Sequence, residues 1–216
     1  QALAAALEGG RDAPLRAALD LRARARRRAA AAAEPARPTL EGDDDGAIHI
    51  ANAGLVLTSA FLPHLFRTLD FIAIEPSGRQ GWKSPELRDR AVHLLQWLVD
   101  ERCDAPEPQL ALNKLLCGMH PSEPVVAEII PTKEERDALG QLLAAILANW
   151  PPLQSSSAAA LRETYLQRDG RLAPGDNGWT LEVERKVLDI LIDQLPWGFS
   201  TILHPWMAEV VNVSWG

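Results

Sequence analysis

The longest apolar stretch of the chain covers residues 47–69, AIHIANAGLVLTSAFLPHLFRTL, with polar residues scattered through it. From residue 55 to residue 69 almost every face of a helix would carry an apolar side chain, which is typical of an element that its neighbours bury on all sides. Pro63 lacks a backbone donor, so we expect two helical pieces with Pro63 in the first turn of the second. We therefore predict that the domain is organised around this stretch as its core.

This stretch differs from a membrane span in its polar content. Polar side chains interrupt it at His49, Asn52, Ser59, His64 and Arg67. A helix that crosses a bilayer needs about 20 predominantly apolar residues. We therefore expect no interaction with a membrane.

Two helices are predicted after the core stretch. Ser84 supplies an N-cap oxygen directly before Pro85, and apolar residues recur at helical spacing to about Val99. A second helix follows Pro108, and Gly118 is placed to end it.

The clearest helix begins after Thr132. Glu135, three residues later, completes a capping box, and Pro151 stops the helical pattern. A further helix is predicted over residues 158–168, after a run of serines, with Gly170 at its end.

The periodicity changes near the C-terminus. Apolar and polar residues alternate over residues 179–183, the pattern of a half-buried strand, after a turn at residues 174–178. Residues 199–203 and 210–215 predict two more strands, and residues 187–195 between them are ambiguous but favour a short helix. The predicted fold class is α+β, a predominantly α-helical domain with a small C-terminal antiparallel sheet.

The chain divides by composition into an Ala/Arg-rich helical extension at residues 1–33, a linker at residues 34–46 and a globular domain at residues 47–216. Residues 1–40 hold eight Arg and four acids, net +4, which leaves 14 basic and 25 acidic residues, net −11, for residues 41–216. The extension reads as a solvated or partly frayed helix, as a basic surface for an acidic partner, or as a nucleic-acid contact. The acidic domain argues against nucleic-acid binding by the chain as a whole.

Signatures of catalysis are absent from the sequence: it has no Gly-rich phosphate loop, no HExxH, no CxxC and no GxSxG. The best candidates for paired catalytic carboxylates are Glu182 with Glu184 on a strand face and Asp189 with Asp193 on a helix face. A solvated polar face explains either pair more simply. We therefore expect a protein that is not an enzyme.

Metal and cofactor sites are not expected either. Cys103, Cys117, His93 and His120 lack the compact spacing of a zinc site. We interpret Cys117 as a buried thiol, and His64 and His93 as hydrogen-bonded histidines of the core or its boundary. With only two cysteines and no signal sequence at the start of this chain, we expect a reducing cytoplasm.

Two Pro-Trp pairs stand near the C-terminus, Pro196 with Trp197 and Pro205 with Trp206. Proline restricts the backbone and tryptophan offers a large apolar area, so each pair is either a corner of the core or an anchor in an interface. A core role is the simpler interpretation. Together with Asn52, whose polar side chain lies in an apolar stretch, the pairs are our candidates for interface residues.

Several of these blocks carry a resemblance to a known family. The chain resembles the contractile injection system tape measure proteins, which belong to phage-tail-like particles such as the antifeeding prophage. The resemblance covers about residues 46–216, and its blocks keep their order. They are NAGLVLTSAFLPHLF, RAVHLLQWLV at 90–99, LALNKLLCG at 110–118, LPW at 195–197 and PWM at 205–207.

The resemblance implies a structural assembly protein. A tape measure lies in the lumen of the growing tail tube, and its extended length sets where polymerisation stops. The implied partners are the tail tube, spike and baseplate hub proteins, and a homotrimer would match a trimeric spike. Such a protein is cytoplasmic during assembly and lies inside the tube lumen of the finished particle. The alternatives are a chaperone or adaptor for tube or effector loading, and a cell-wall hydrolase module.

Overall fold

The computed structural model describes residues 46–74 and 80–216. The predicted extension and almost all of the predicted linker therefore lie outside the described residues. The α-helices are α1 Leu62–Thr68, α2 Pro85–Asp100, α3 Ala111–Leu116, α4 Lys133–Asn149 and α5 Ala158–Leu161. The strands are β1 Ile48–Ile50, β2 Ile72–Ile74, β3 Gln80–Trp82, β4 Gly170–Gly175, β5 Gly178–Val183, β6 Thr201–Ile202 and β7 Val210–Trp215. Tighter 3-10 segments cover Ala53–Phe61, Glu107–Leu110, Pro151–Leu153 and Val187–Gln194, and Arg162–Leu166 form a wider π turn.

The apolar stretch is the core, as predicted. It forms two helical pieces, the 3-10 segment Ala53–Phe61 and then α1, with Pro63 in the first turn of α1. All seven residues from 53 to 59 are buried. Gly54 is required there because a Cβ atom at this position would lie 1.7 Å from the carbonyl oxygen of Tyr165. We call the apolar stretch at residues 47–69 the core segment, and it packs directly on the backbone of the π turn.

The predicted helix caps are confirmed. The Ser84 hydroxyl accepts a hydrogen bond from Leu87 N at 3.3 Å at the start of α2. At the start of α4, Thr132 Oγ1 accepts from Glu135 N at 3.2 Å, and the Glu135 carboxylate accepts from Thr132 N at 2.6 Å. These contacts satisfy backbone donors that a helix N-terminus otherwise leaves free.

The helix predicted over residues 158–168 is shorter than expected. Only α5 is α-helical, the π turn follows it, and the chain enters β4 at Gly170 instead of ending a helix there. A Cβ atom at residue 170 would lie 2.6 Å from the Cβ of Ala53, so a glycine lets β4 approach the core segment closely.

The α+β fold class is confirmed, but the main sheet is mixed and not antiparallel. Its strand order is β1-β4-β5-β7-β6, so a strand from the start of the domain completes it. The pair β5 and β7 is parallel, with Leu181 opposite Val213, and the other pairs are antiparallel. The prediction of an antiparallel sheet was wrong because the chain crosses back, through Val187–Gln194 and β6, before β7 begins. A separate hairpin pairs β2 with β3.

The alternation predicted in β5 is confirmed, since Trp179, Leu181 and Val183 are buried in the same core as the helices. Among the described residues, no helix is both long enough and apolar enough to cross a membrane.

Candidate docking surface

Asn52, the first interface candidate, lies inside the domain. Its amide nitrogen donates to Gln96 Oε1 at 3.0 Å and to Asn113 Oδ1 at 2.8 Å. These contacts connect the start of the core segment to α2 and α3. Asn52 therefore has a structural role in a buried polar cluster.

Trp206 is buried, whereas Pro205 before it is exposed. The indole nitrogen donates to the carbonyl oxygen of Leu116 at 2.9 Å. Its ring lies 5.5 Å from that of Phe66 and 5.9 Å from that of Trp82, both edge to face. This arrangement supports the interpretation of the second Pro-Trp pair as a corner of the core.

Trp197 is half-buried at the edge of the domain, and Pro196 is exposed. The indole nitrogen donates to the carbonyl oxygen of Leu57 at 3.0 Å, and the ring meets that of Phe61 edge to face at 5.1 Å. The interface assignments of both Pro-Trp pairs remain predictions.

The carboxylate pair on β5 behaves as a solvated face. Glu182 and Glu184 are both exposed. A Glu182 oxygen lies 4.0 Å from Arg171, and a Glu184 oxygen lies 3.5 Å from Lys186.

The two carboxylates of the second pair, Asp189 and Asp193, differ in burial. The interpretation as a solvated polar face is wrong for Asp189. Asp193 is exposed, whereas Asp189 is 2% exposed and forms an ion pair with Arg168. Residues four apart lie on the same face of an α-helix, but this segment is a 3-10 helix with three residues per turn. The two carboxylates therefore point in different directions.

The cysteines and histidines do not assemble into a ligand set. In the described part of the chain, no three His, Cys, Asp or Glu side chains are placed to hold a metal ion. Cys117 is fully buried, and burial raises its pKa; burial also raises the pKa of Cys103 to about 11. His93 is buried and hydrogen-bonded as predicted, but His64 is exposed, which the sequence interpretation had wrong. His120 is exposed as well and packs on the Trp179 ring.

An open groove lies between α1 and α4, with a volume of about 260 Å³. Its lining includes Phe61, Leu65, Leu142 and Ala145, with His64 as a polar group. Such a lining suits apolar contact and offers little for acid-base chemistry.

The most unusual surface lies in Val187–Gln194, between β5 and β6. Seven large apolar side chains are exposed among the described residues, and three of them lie within this segment. Val187 is 93% exposed, Leu188 53% and Ile190 65%. We call these three side chains the docking face.

The backbone of this segment is fixed by the core beneath it. Tyr165 Oη donates to the carbonyl oxygen of Leu188 at 3.3 Å, and Trp150 Nε1 donates to that of Leu191 at 3.0 Å. Ile192 is buried in the core. The docking face is therefore held outward by a well-anchored segment.

Charge borders the docking face on one side. Arg185 and Lys186 immediately precede it, and both are exposed. The surrounding domain is acidic by composition. A partner that combines an apolar patch with carboxylates at its edge would match this arrangement.

The composition of this segment indicates an exposed apolar surface, although its periodicity alone does not. Residues 187–192, VLDILI, are apolar except for Asp189, so a helix there would be apolar on nearly all sides. Such a segment is either buried all round or exposes part of its apolar surface. Distinguishing the two required the position of Asp189 in the fold.

Comparison with known proteins adds one finding to this geometry. A family model of contractile injection system tape measure proteins matches residues 12–215. The match begins well before residue 46, where the resemblance was expected to start, and takes in much of the Ala/Arg-rich extension. No curated protein and no solved structure matches the chain.

Proposed function

Because the chain belongs to the family of contractile injection system tape measure proteins, we propose that it sets tail tube length and anchors on the spike or baseplate hub. The observation that carries this proposal is the extent of the family match, which includes both the Ala/Arg-rich part and the folded domain. Membership associates the chain with the tail of a contractile particle. The tube length and the anchoring are the proposed steps.

The proposal divides the work along the chain. Residues 1–33, together with any helical sequence upstream, act as the ruler, and residues 47–216 act as the folded terminal domain. The linker at residues 34–46 separates them. A helical ruler advances about 1.5 Å per residue, so its length in residues fixes a distance along the tube. Assembly takes place in the cytoplasm, and the ruler ends inside the tube lumen.

Anchoring is assigned to the docking face. Complete burial of a Val, Leu or Ile side chain contributes about 1.5 to 3 kcal/mol relative to exposure. Val187 and Ile190 are mostly exposed in the free domain, so contact with a hub protein would remove apolar surface from water. Arg185 then orients the contact toward an acidic border on the partner, whereas Lys186 is paired with Glu184 at 3.5 Å.

Removal of residues 4–33 tests the ruler. This deletion takes out 30 residues and would shorten a fully helical ruler by roughly 45 Å. A more extended chain would lose more, up to about 3.3 Å per residue. Electron microscopy of particles built with the deleted protein should show one narrow and shorter population of tubes.

Other outcomes of this deletion have different meanings. Unchanged tube length would contradict a ruler role for residues 4–33. Scattered lengths at normal particle abundance would mean that the segment anchors the ruler instead. Circular dichroism of the deleted protein is the control, because the apolar core begins after the linker and should keep its fold.

We also propose that the chain has no catalytic activity, consistent with a structural role. Turnover of purified cell walls by the wild-type chain, lost in Glu182→Gln with Glu184→Gln, would overturn this part of the proposal. Counting copies per tube separates a ruler from a chaperone or adaptor, because a ruler remains in the particle at a few copies. A stoichiometry of three with the spike would agree with the expected symmetry, and a strictly monomeric complex would exclude it.

A further inference from the structure

A buried ion pair lies directly beneath the docking face. Arg168 and Asp189 have side chains that are each 1% exposed. Asp189 belongs to the docking segment Val187–Gln194, whereas Arg168 lies between the π turn and β4. The pair thus connects the segment to a different part of the fold.

The Asp189 carboxylate is fully hydrogen-bonded, whereas Arg168 donates only through Nη2, and its buried Nε and Nη1 have no hydrogen-bond partner among the described residues. Asp189 Oδ2 accepts from Lys186 N at 2.7 Å and from Trp215 Nε1 at 2.8 Å, and Oδ1 accepts from Arg168 Nη2. The Arg168 guanidinium lies 6.0 Å from the centre of the Tyr165 ring and 5.9 Å from that of Trp215. Asp189 is therefore fixed at once by β7, by Arg168 and by its own segment.

The buried and the exposed side chains lie on different faces of the segment Val187–Gln194. A 3-10 helix has three residues per turn, so Asp189 and Ile192 share one face, and Val187 and Ile190 share another. Asp189 and Ile192 are the buried residues of the segment, and Val187 and Ile190 are its most exposed apolar residues. An inner position that accepted only apolar side chains would favour Leu188 or Ile190 over Asp189.

We propose that the Arg168–Asp189 pair positions the docking face, by selecting the one register in which Val187 and Ile190 point to solvent. The inference rests on the proposed function, since it concerns the surface to which anchoring is assigned. Buried ion pairs contribute little net stability compared with apolar replacements of both residues. Removal of only one partner is strongly destabilising, because it leaves the other charge buried and unpaired. The pair therefore acts on the conformation of this segment more than on the stability of the domain.

The test replaces both charges in the full chain. The variant Arg168→Met with Asp189→Asn removes the ion pair and keeps an oxygen acceptor for Lys186 N and Trp215 Nε1. The matched control is Lys133→Met with Asp137→Asn, which removes an exposed ion pair on α4. Amide hydrogen exchange is measured for residues 187–192 and, as an internal reference, for α4.

The buried-pair variant should melt within a few degrees of the wild type, while exchange at residues 187–192 accelerates by at least about tenfold and exchange in α4 does not change. Its incorporation into particles should fall, and the control should behave as the wild type in every measurement. Exchange at residues 187–192 that stays at the wild-type rate would overturn the inference. Equal acceleration throughout the domain would also overturn it, because the pair would then support global stability.

A second variant covers the case in which the first does not fold. Arg168→Lys keeps the positive charge and loses the planar guanidinium, so exchange should still accelerate selectively at residues 187–192. Equal acceleration throughout the domain would contradict the inference. Val187→Ser with Ile190→Ser keeps the pair and tests the docking role separately. Normal incorporation of that variant would overturn the anchoring proposal without affecting the exchange result.

Discussion

Replacement of Trp206 by alanine tests whether the second Pro-Trp pair belongs to the core. Trp206 is 9% exposed, and its ring meets the rings of Phe66, Trp82 and His204. Its indole nitrogen also donates to the carbonyl oxygen of Leu116, in the last turn of α3. The substitution removes a side chain that joins the C-terminal part of the chain to the helical part.

The expected loss of stability in Trp206→Ala comes from the cavity that the missing side chain leaves. Truncation of a large aromatic side chain in a core costs about 3 to 5 kcal/mol, because the lost burial adds to an incompletely closed cavity. For a domain of this size, each kcal/mol lowers the Tm by about 2 to 4 °C, so the Tm should fall by roughly 6 to 20 °C. Calorimetry and urea unfolding measure the change in stability. An unchanged urea m value shows that the variant and the wild type expose the same amount of surface on unfolding.

Trp206→Phe is the matched control, since it keeps an aromatic ring and removes only the indole donor and part of the volume. Trp206→Phe should lose less stability than Trp206→Ala, about 1 to 3 kcal/mol. If Trp206→Ala melts like the wild type, the core interpretation is refuted. In that case, failure to enter particles would identify Trp206 as an interface anchor, and normal assembly would exclude both roles.

Three further predictions follow from close contacts and buried groups. Gly54→Ala should destabilise the domain by at least about 1 to 3 kcal/mol, because the added Cβ clashes with a backbone carbonyl. Gly140→Ala, on open helix surface, should stabilise the domain by up to about 1 kcal/mol. If both variants melt at the wild-type temperature, both predictions are wrong. Burial raises the pKa of Cys103 to about 11 and that of Cys117 further, so alkylation at pH 8 should be slow until urea unfolds the chain, and rapid native labelling would refute this. Burial lowers the pKa of His204 to about 4 from 6.5, so the folded state excludes a proton that the unfolded chain binds, and stability is lost as the pH falls from about 6.5 toward 4. His204→Gln should reduce this loss, by no more than about 1.4 kcal/mol per pH unit, and an identical pH profile of urea unfolding would contradict it.

Local features of the fold could be predicted from the sequence because their causes lie within a few residues. The capping box of Thr132 and Glu135 and the N-cap of Ser84 each involve partners three residues apart. The alternation over residues 179–183 records the two faces of one strand. In each case the side chains that determine the structure are neighbours in the sequence.

The pairing of strands that are distant in the sequence could not be predicted from local patterns. β1 contains only three residues and joins the sheet beside β4, more than 100 residues later. Whether β7 runs parallel or antiparallel to β5 depends on the path of the connecting chain, which no local pattern records. The buried role of Asp189 likewise depends on Arg168, which is 21 residues away and shows no sequence signal of burial.

The docking face is small, which limits how strongly one copy of the domain can bind a partner through it. A large apolar patch on a free protein favours aggregation before assembly, and here the docking face is limited to three side chains on one fixed turn. Their complete burial contributes at most roughly 5 to 9 kcal/mol, whereas association of two proteins costs about 4 to 15 kcal/mol in lost translational and rotational freedom. A single copy would therefore bind its partner weakly through this surface alone. Copies that are joined to one another would bind a symmetric partner more tightly, because each later contact then forms within the same complex. A homotrimer of this chain on a trimeric spike, as the proposed function expects, would meet this condition with three equivalent contacts.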